Sequence, residues 1–292
     1  MKDLAAVSGQ TGGPESSLQP LEPAAPKADI HRGQASRRKF PATFCLPFFF
    51  GLMFLLTWQL EGFHRLFRLE HYQLPIPSAI AAAILDNAPM LWSYSLYTGS
   101  EILGGCLAGS LLGLIAAAAA SFVPRAGRGA ITLMASLNAI PIVALAPVMN
   151  NWFGDGVASK MAIVSVMTMA TMAVSAFKGL RSIEPPYLEL MSSYAAGKLQ
   201  TFAKLRFRSA LPAVFTALKI NMSTSIIGAI VGEFFISSRG LGFLLSDQIK
   251  LANMPLAWSC IVIAAVMGII LYYAVQLAER LAIPWHAAHR RR

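Results

Sequence analysis

Residues 195–199 read Ala-Ala-Gly-Lys-Leu, and the Gly-Lys pair raises the question of phosphate chemistry. A phosphate-binding loop needs Gly, four residues, Gly-Lys and then Ser or Thr, so that backbone amides cradle the phosphates and a hydroxyl meets magnesium. Ser192 stands where the first glycine is required, Leu199 stands where the hydroxyl is required, and no strand pattern leads into the segment. The chain is therefore expected not to hydrolyse ATP itself. It has no His-Glu-x-x-His and no Gly-x-Ser-x-Gly, the spacings that would build a zinc site or a nucleophile elbow. Cys45, Cys106 and Cys260 lie in apolar runs without a metal-ligand spacing, and read as small core or lipid-facing residues rather than a disulfide or metal site. No catalytic residue, metal or cofactor is expected.

The polar residues inside apolar runs are the remaining candidates for chemistry. Glu101 lies in one such run. A carboxylate at mid-membrane is costly and should face protein or water, so Glu101 either lines a path or lies near the outer end and is hydrated. Glu233 sits near the end of another run and reads as structural. Asn138 and Asn221 are candidates for a solute pathway or for hydrogen bonds between helices. Pro141 and Pro147 interrupt a third run. Such breaks free backbone carbonyls and are tolerated where they line a cavity or pack on protein, so this segment is a candidate gate, with an ordinary kink as the alternative.

Hydropathy defines the helices on which these residues sit. The chain has 292 residues, 55% hydrophobic and 13% charged, about half the charge of an ordinary soluble domain. Its mean hydropathy is +0.56. Six apolar runs are long enough to be membrane spans: roughly 42–60, 96–123, 131–150, 158–177, 213–236 and 256–279. Runs two to five are rich in Gly, Ala, Ser and Thr, which let helix backbones approach closely, so they are expected to pack on protein more than on lipid. The fold class is all-α and polytopic, with a tail at 1–40, a membrane domain at 41–285 and a basic tail at 286–292. The first 40 residues are rich in Pro, Gly, Ser and Ala and are read as disordered. They contain no apolar core after the initial Met-Lys and so do not read as a signal peptide.

The charge pattern sets the orientation. The formal net charge is +10. With the N-terminus in the cytoplasm, every Lys and Arg except Arg65, Arg68, Lys160, Arg239 and Lys250 falls on the inner side. The positive-inside bias therefore puts both termini and the 178–212 loop in the cytoplasm, and the basic excess needs no nucleic acid to explain it. On the outer side, 73–90 is expected to hold a short interfacial helix entered through extended backbone at Pro75 and Pro77. Residues 150–156 are expected to form a tight turn with Trp152 at the interface, and 237–255 a longer connection.

Within the 178–212 loop, Tyr187 to Pro212 is amphipathic and basic. Pro185 and Pro186 suit a helix's first turn, and Leu188, Met191 and Ala195 fall on one face at helical spacing. Residues 195–197 offer a break, and a second helical pattern comes after it, with Leu199, Phe202 and Leu205 on one face and Pro212 before the fifth span. Two short helices lying along the membrane are expected. They read either as a surface loop whose basic residues meet anionic lipid or as a docking element for another protein.

This segment resembles the Glu-Ala-Ala loop of permease subunits of bacterial ATP-binding-cassette importers. Glu189 matches the Glu, Leu190 and Met191 replace the alanines, Ala195 stands at the family's Gly, and Leu205 matches its Ile. Phe207 and Arg208 replace Leu-Pro. The loss of the Gly implies that Gly197 takes over the bend. The stretches "LNAIPIVALAPVMNNWFGDG", "GLRSIEPPYLEL", "LQTFAKLRFRSALPAVFTALK" and "IIGAIVGEFFISSRGLGFLL", with "TGSEILGG" before them, are similar to importers of the nitrate/taurine/sulfonate-type branch. The similarity covers roughly 73–280.

The resemblance implies a coupling loop at 178–212 that sits in a cleft of a separate cytoplasmic ATPase. Tyr187, Glu189, Met191, Tyr194, Ala195, Gly197 and Lys198 are the expected contacts, with internal packing as the alternative for each. It further implies a second permease copy in a homodimer, an external solute-binding protein and a place in the bacterial inner membrane among its lipids. The cargo is a small polar solute of sulfonate, nitrate or pyrimidine-precursor type; "SYAA" and "FTALK" are most similar to the last. An ion-driven secondary carrier is the alternative. It would need inverted repeats and midplane carboxylates, and only one plausible acid is present.

Overall fold

Proline and glycine punctuation sets most helix boundaries in the computed structural model, which describes residues 42–284. The tails expected at 1–40 and 286–292 lie outside the described residues. The chain divides into two units, Met1–Phe48 and Phe49–Arg292, and the packing below is that of the second. Among the described residues every regular element is helical.

The helices are α1 (Ala42–Gln59), α2 (Gly62–Phe67), α3 (Pro77–Asp86), α4 (Ala88–Phe122), α5 (Pro124–Ser136) and α6 (Ile142–Phe153). They continue with α7 (Val157–Arg181), α8 (Pro185–Ser193), α9 (Lys198–Thr201), α10 (Phe207–Phe235), α11 (Leu241–Lys250) and α12 (Met254–Ala282). Helices α3, α4, α8 and α12 each begin with Pro in the first two positions, where the missing N–H is no loss. The extended backbone expected before α3 is present at Ile76, with φ −69° and ψ 149°.

Among the described residues, four helical runs are long and apolar enough to cross a membrane: α4, α7, Lys198–Phe235 and α12. The expected third span is one only as a bent pair. It consists of α5 with a short 3-10 turn at Leu137–Ala139, then α6, with an angle of 98° between the two arms. The cause is Pro141. It has no N–H to donate and forces the preceding residue out of helical backbone; Ile140 is accordingly extended at φ −72°, ψ 122°. Pro147 lies inside α6 without ending it.

The bundle is built inside out relative to a soluble protein. On α4 the leucines at 103, 107 and 111 and Ile115 are exposed, whereas Gly105, Gly109 and Gly113 are buried. These glycines recur every fourth residue and form one stripe along α4. A Cβ at any of them would collide with α7: with Val164 at 105, with Thr168 and Ser165 at 109, with Met169 at 113. The small residues thus let α4 and α7 lie backbone to backbone, as expected for helices that gain no hydrophobic drive in lipid and rely on close packing. Ser165 Oγ and Thr168 Oγ1 donate across the seam to the Gly105 carbonyl at 3.1 and 3.5 Å.

Four more elements depart from the sequence expectation. Residues 150–153, expected in a tight turn, form the last turn of α6, and α1, expected as the first span, is not among the runs of described residues long and apolar enough to cross. The outer connection 237–255 contains a helix, α11, that buries Leu241, Leu244, Ser246 and Gln248. The second short helix of the 178–212 loop is not separate. It runs through α9, a five-residue π segment (Phe202–Arg206) and α10 as one 38-residue helical run, Lys198–Phe235. Pro212 lies inside α10 without ending it, as a proline can where neighbouring groups re-satisfy the freed backbone.

Candidate coupling surface and pathway residues

The end of the bundle that carries α8 is held by α7 and α10. Their contact is tight: Gly179 faces Ala210 and Ala213, and Leu180, Ala210 and Val214 share a buried cluster with Ala117 and Met172. Helix α8 stands off this platform with no buried residue. Tyr187, Leu190, Tyr194 and Leu199 are 55%, 51%, 74% and 74% exposed, an apolar and aromatic surface displayed without a covering element. Glu189, Ala195, Gly197 and Lys198 are exposed beside it, and Met191 is half-buried. The seven expected coupling residues, neighbours in sequence, lie on α8, the turn after it and the first residue of α9.

The bend after α8 corrects one expectation. Gly197 has φ −66° and ψ 164°, ordinary extended backbone. The left-handed residue is Ala195, at φ 51°. It sits at the C′ position of a Schellman turn: the Ala196 N–H donates to the Met191 carbonyl at 3.0 Å and the Ala195 N–H to that of Ser192 at 2.9 Å. That turn selects glycine because its C′ residue must be left-handed. Ala195 thus keeps the geometry of the missing glycine and strains its own backbone instead of passing the bend downstream.

The five pathway candidates do not converge. Asn138, Pro141 and Pro147 lie exposed along the α5–α6 corner. Asn221 is fully buried between three helices, its amide donating to Ser110 Oγ on α4 at 2.9 Å and to the Thr168 carbonyl on α7 at 3.0 Å. Glu101 is fully buried toward the other end, and neither of its carboxylate oxygens has a hydrogen-bond donor among the described residues.

Glu233, also fully buried, has a defined task. Its Oε1 accepts from Thr98 Oγ1 and its Oε2 from the Gly242 N–H, both at 2.6 Å, while the Leu241 N–H donates to Thr98 Oγ1 at 2.9 Å. Acid and hydroxyl together cap the first turn of α11, whose free amides favour negative charge. Gly240 permits this approach. It has φ 111°, and a side chain there would run into the Glu233 carboxyl. Lys160, only 1% exposed, is held by Asp155 at 3.0 Å. Sequence reasoning missed this cap; its signal was the pairing of a buried acid with the downstream Gly-Leu-Gly at 240–242.

Residues 109–283 match the family described as the binding-protein-dependent transport system inner membrane component. The chain belongs to this family. A probable ABC transporter permease protein of Haemophilus influenzae is 31% identical over 221 residues, 76% of this chain and 89% of that protein. The formylaminopyrimidine transport permease protein of Halalkalibacterium halodurans is 30% identical over 240 residues, 82% and 95% of the two chains. Among solved structures, the inward-facing MetNI methionine ABC transporter has a chain that superposes with a TM-score of 0.55 at 16% identity, covering 66% of this chain and 96% of that one. That likeness concerns the fold.

The protein is thus a multi-pass inner-membrane permease of a binding-protein-dependent importer. ATP hydrolysis belongs to separate ATPase subunits, and delivery of solute to a binding protein. Family membership sets aside the ion-driven carrier.

Proposed function

We propose that α8 and the turn at 194–197 form the coupling element of this permease, and that the cytoplasmic ATPase grips it. The observation that carries this reading is the uncovered surface of Tyr187, Leu190 and Tyr194 on α8 and its cap, one turn before the helical run Lys198–Phe235. A partner can drive a conformational change only if it binds the two states with different free energy. Apolar side chains in a groove, with Glu189 and Lys198 at the rim, supply such a contact. The helical run behind them then carries any displacement into the membrane.

In this reading both termini and the 178–212 loop face the cytoplasm, six spans cross the bilayer with α1 as the first, and two copies form the pore. The α5–α6 corner at Asn138 and Pro141 is the gate. Asn221 ties α10 to α4 and α7, and Glu101 remains a separate pathway candidate on α4. The cargo is a small polar solute of the pyrimidine-precursor class. The similarity to the formylaminopyrimidine permease along 95% of its length supports that class, with sulfonates and nitrate as the competing cargoes in transport assays.

Co-purification with the ATPase tests the coupling assignment. Glu189→Lys reverses charge at the rim without touching a buried group. It is expected to lose the ATPase during detergent purification while keeping the wild-type thermal midpoint. Retention of the ATPase by that variant would remove α8 from the contact.

A further inference from the structure

We infer that the coupling end of the bundle contains a binding site for a phosphate group, centred on Arg206. Two cavities meet there. One, of about 190 Å³, is lined by Ser121, Arg181 and Arg206 among others; the second, of about 380 Å³, by Ser121, Lys198, Thr201 and Arg206 among others. Ser121 and Arg206 belong to both, so the cavities adjoin. Arg206 and Ser121 thus line both hollows, with Arg181 at the end of α7 on one side and Lys198 and Thr201 of α9 on the other; the Ser121 hydroxyl already donates to the Ala118 carbonyl at 2.7 Å.

No carboxylate lines either cavity. Among the described residues, Arg181, Lys198 and Arg206 make no ion pair and donate no side-chain hydrogen bond; the ion pairs present are His71–Glu61, Lys160–Asp155 and Lys219–Glu279. Arg181 lies instead over the Phe177 ring, 5.3 Å from its centre. Arg206 is half-buried and has no protein acceptor among the described residues, which leaves its guanidinium able to take an anion. Arginine's planar fork fits a phosphate with two parallel hydrogen bonds.

The local backbone is an independent sign. Arg206 ends the π segment Phe202–Arg206. Such bulges are rare and gather at functional sites, because the extra residue per turn re-aims the side chains beyond it. Here it brings Arg206 round to the hollow while Phe202 packs on Phe122, ring centres 5.0 Å apart.

The same chemistry exists on an anionic lipid headgroup and on free phosphate. The place favours the lipid. Ser121 and Arg181 are at or next to the ends of α4 and α7, where the apolar runs stop, which is headgroup level, and basic pockets between membrane helices at that level hold lipid phosphates. The site shares Lys198 with the proposed ATPase contact, but its test needs only the permease chain and turns on Arg206.

The test uses the full chain in phosphatidylcholine nanodiscs, titrated with short-chain phosphatidylglycerol and separately with inorganic phosphate, and followed by native mass spectrometry and thermal shift. One saturable phosphatidylglycerol site is expected. Arg206→Gln should weaken it about tenfold, the loss of one charge-assisted contact, and Arg206→Lys by less. Lys204→Gln, on an exposed residue outside both cavities, should leave it unchanged. Inorganic phosphate bound with the same variant dependence, in place of the lipid, assigns the site to a soluble anion. Binding of neither probe overturns the proposal. So does equal weakening by Lys204→Gln and Arg206→Gln, or no weakening by Arg206→Gln in a protein with wild-type thermal midpoint.

Discussion

Ala195 holds a left-handed backbone with a side chain that disfavours it. At φ 51° its methyl group crowds the following carbonyl, a cost of about 1 kcal/mol relative to glycine. Ala195→Gly is therefore expected to stabilise the α8 turn. Hydrogen exchange at the Ala195 and Ala196 amides, whose bonds close the turn, should slow by about fivefold if most of that strain is released without an offsetting gain in unfolded-state entropy. Faster exchange would show that the methyl group packs favourably. At the same scale, sequence reading proposed a set of coupling residues on one segment but misassigned the bend within it. The substitution of a glycine was visible, and the natural inference was that the nearest glycine replaces it. What the sequence does not display is that the two hydrogen bonds of the turn fix the left-handed position by counting back from the helix end, so that it cannot slide two residues to Gly197.

The α4–α7 seam shows what is legible at the level of elements. A stripe of small residues in an apolar run signals close packing, and Gly105, Gly109 and Gly113 are where α7 makes it. Gly109→Leu should separate the helices, because its Cβ alone would strike Thr168 and Ser165. Overpacking of this kind typically costs about 1–3 kcal/mol. The expected readout is loss of folded protein on fluorescence-detected size-exclusion chromatography, whereas Leu107→Ala, on an exposed leucine of the same helix, should elute as wild type. The proline start of α8 and the existence of α4, α7 and α12 were equally legible, though α4 begins at Ala88, eight residues before the expected start of its run. The 98° corner was only half so. Two prolines marked the segment, but only Pro141 breaks it, since Pro147 sits where α6 already has its direction. Helix α11 was not legible. Its ten residues depend on a cap supplied by Glu233 and Thr98 from two other helices, and no local pattern records a cap provided in three dimensions.

For the whole molecule, charge asymmetry predicts orientation. Ser193 at the end of α8 and Ser238 after α10 are both exposed, and the proposed topology puts them on opposite sides of the bilayer. In a background without Cys45, Cys106 and Cys260, Ser238→Cys should react with a membrane-impermeant maleimide added to spheroplasts, and Ser193→Cys only after permeabilisation. The reverse pattern would invert the topology and place α8 beyond reach of any cytoplasmic motor. Positive-inside counting gives this answer from sequence because it sums many loop charges. It says nothing of which polar residues meet. Glu101 and Asn221 prove to be enclosed by protein, while Asn138 and Pro141 are on a surface. That sorting depends on helix rotation, and a uniformly apolar helix does not disclose its rotation.

The 38-residue run from Lys198 to Phe235 has a mechanical corollary. It is pinned at Asn221 by hydrogen bonds to both α4 and α7. At the usual rise per residue, Lys198 lies about 35 Å to one side of that pin and Glu233 about 18 Å to the other. A rod turning on this fulcrum works as a seesaw with unequal arms. In the proposed topology, a rigid swing of the Lys198 end would reappear at the Glu233 end at about half the amplitude and in the opposite sense, where it would meet the carboxyl that caps α11.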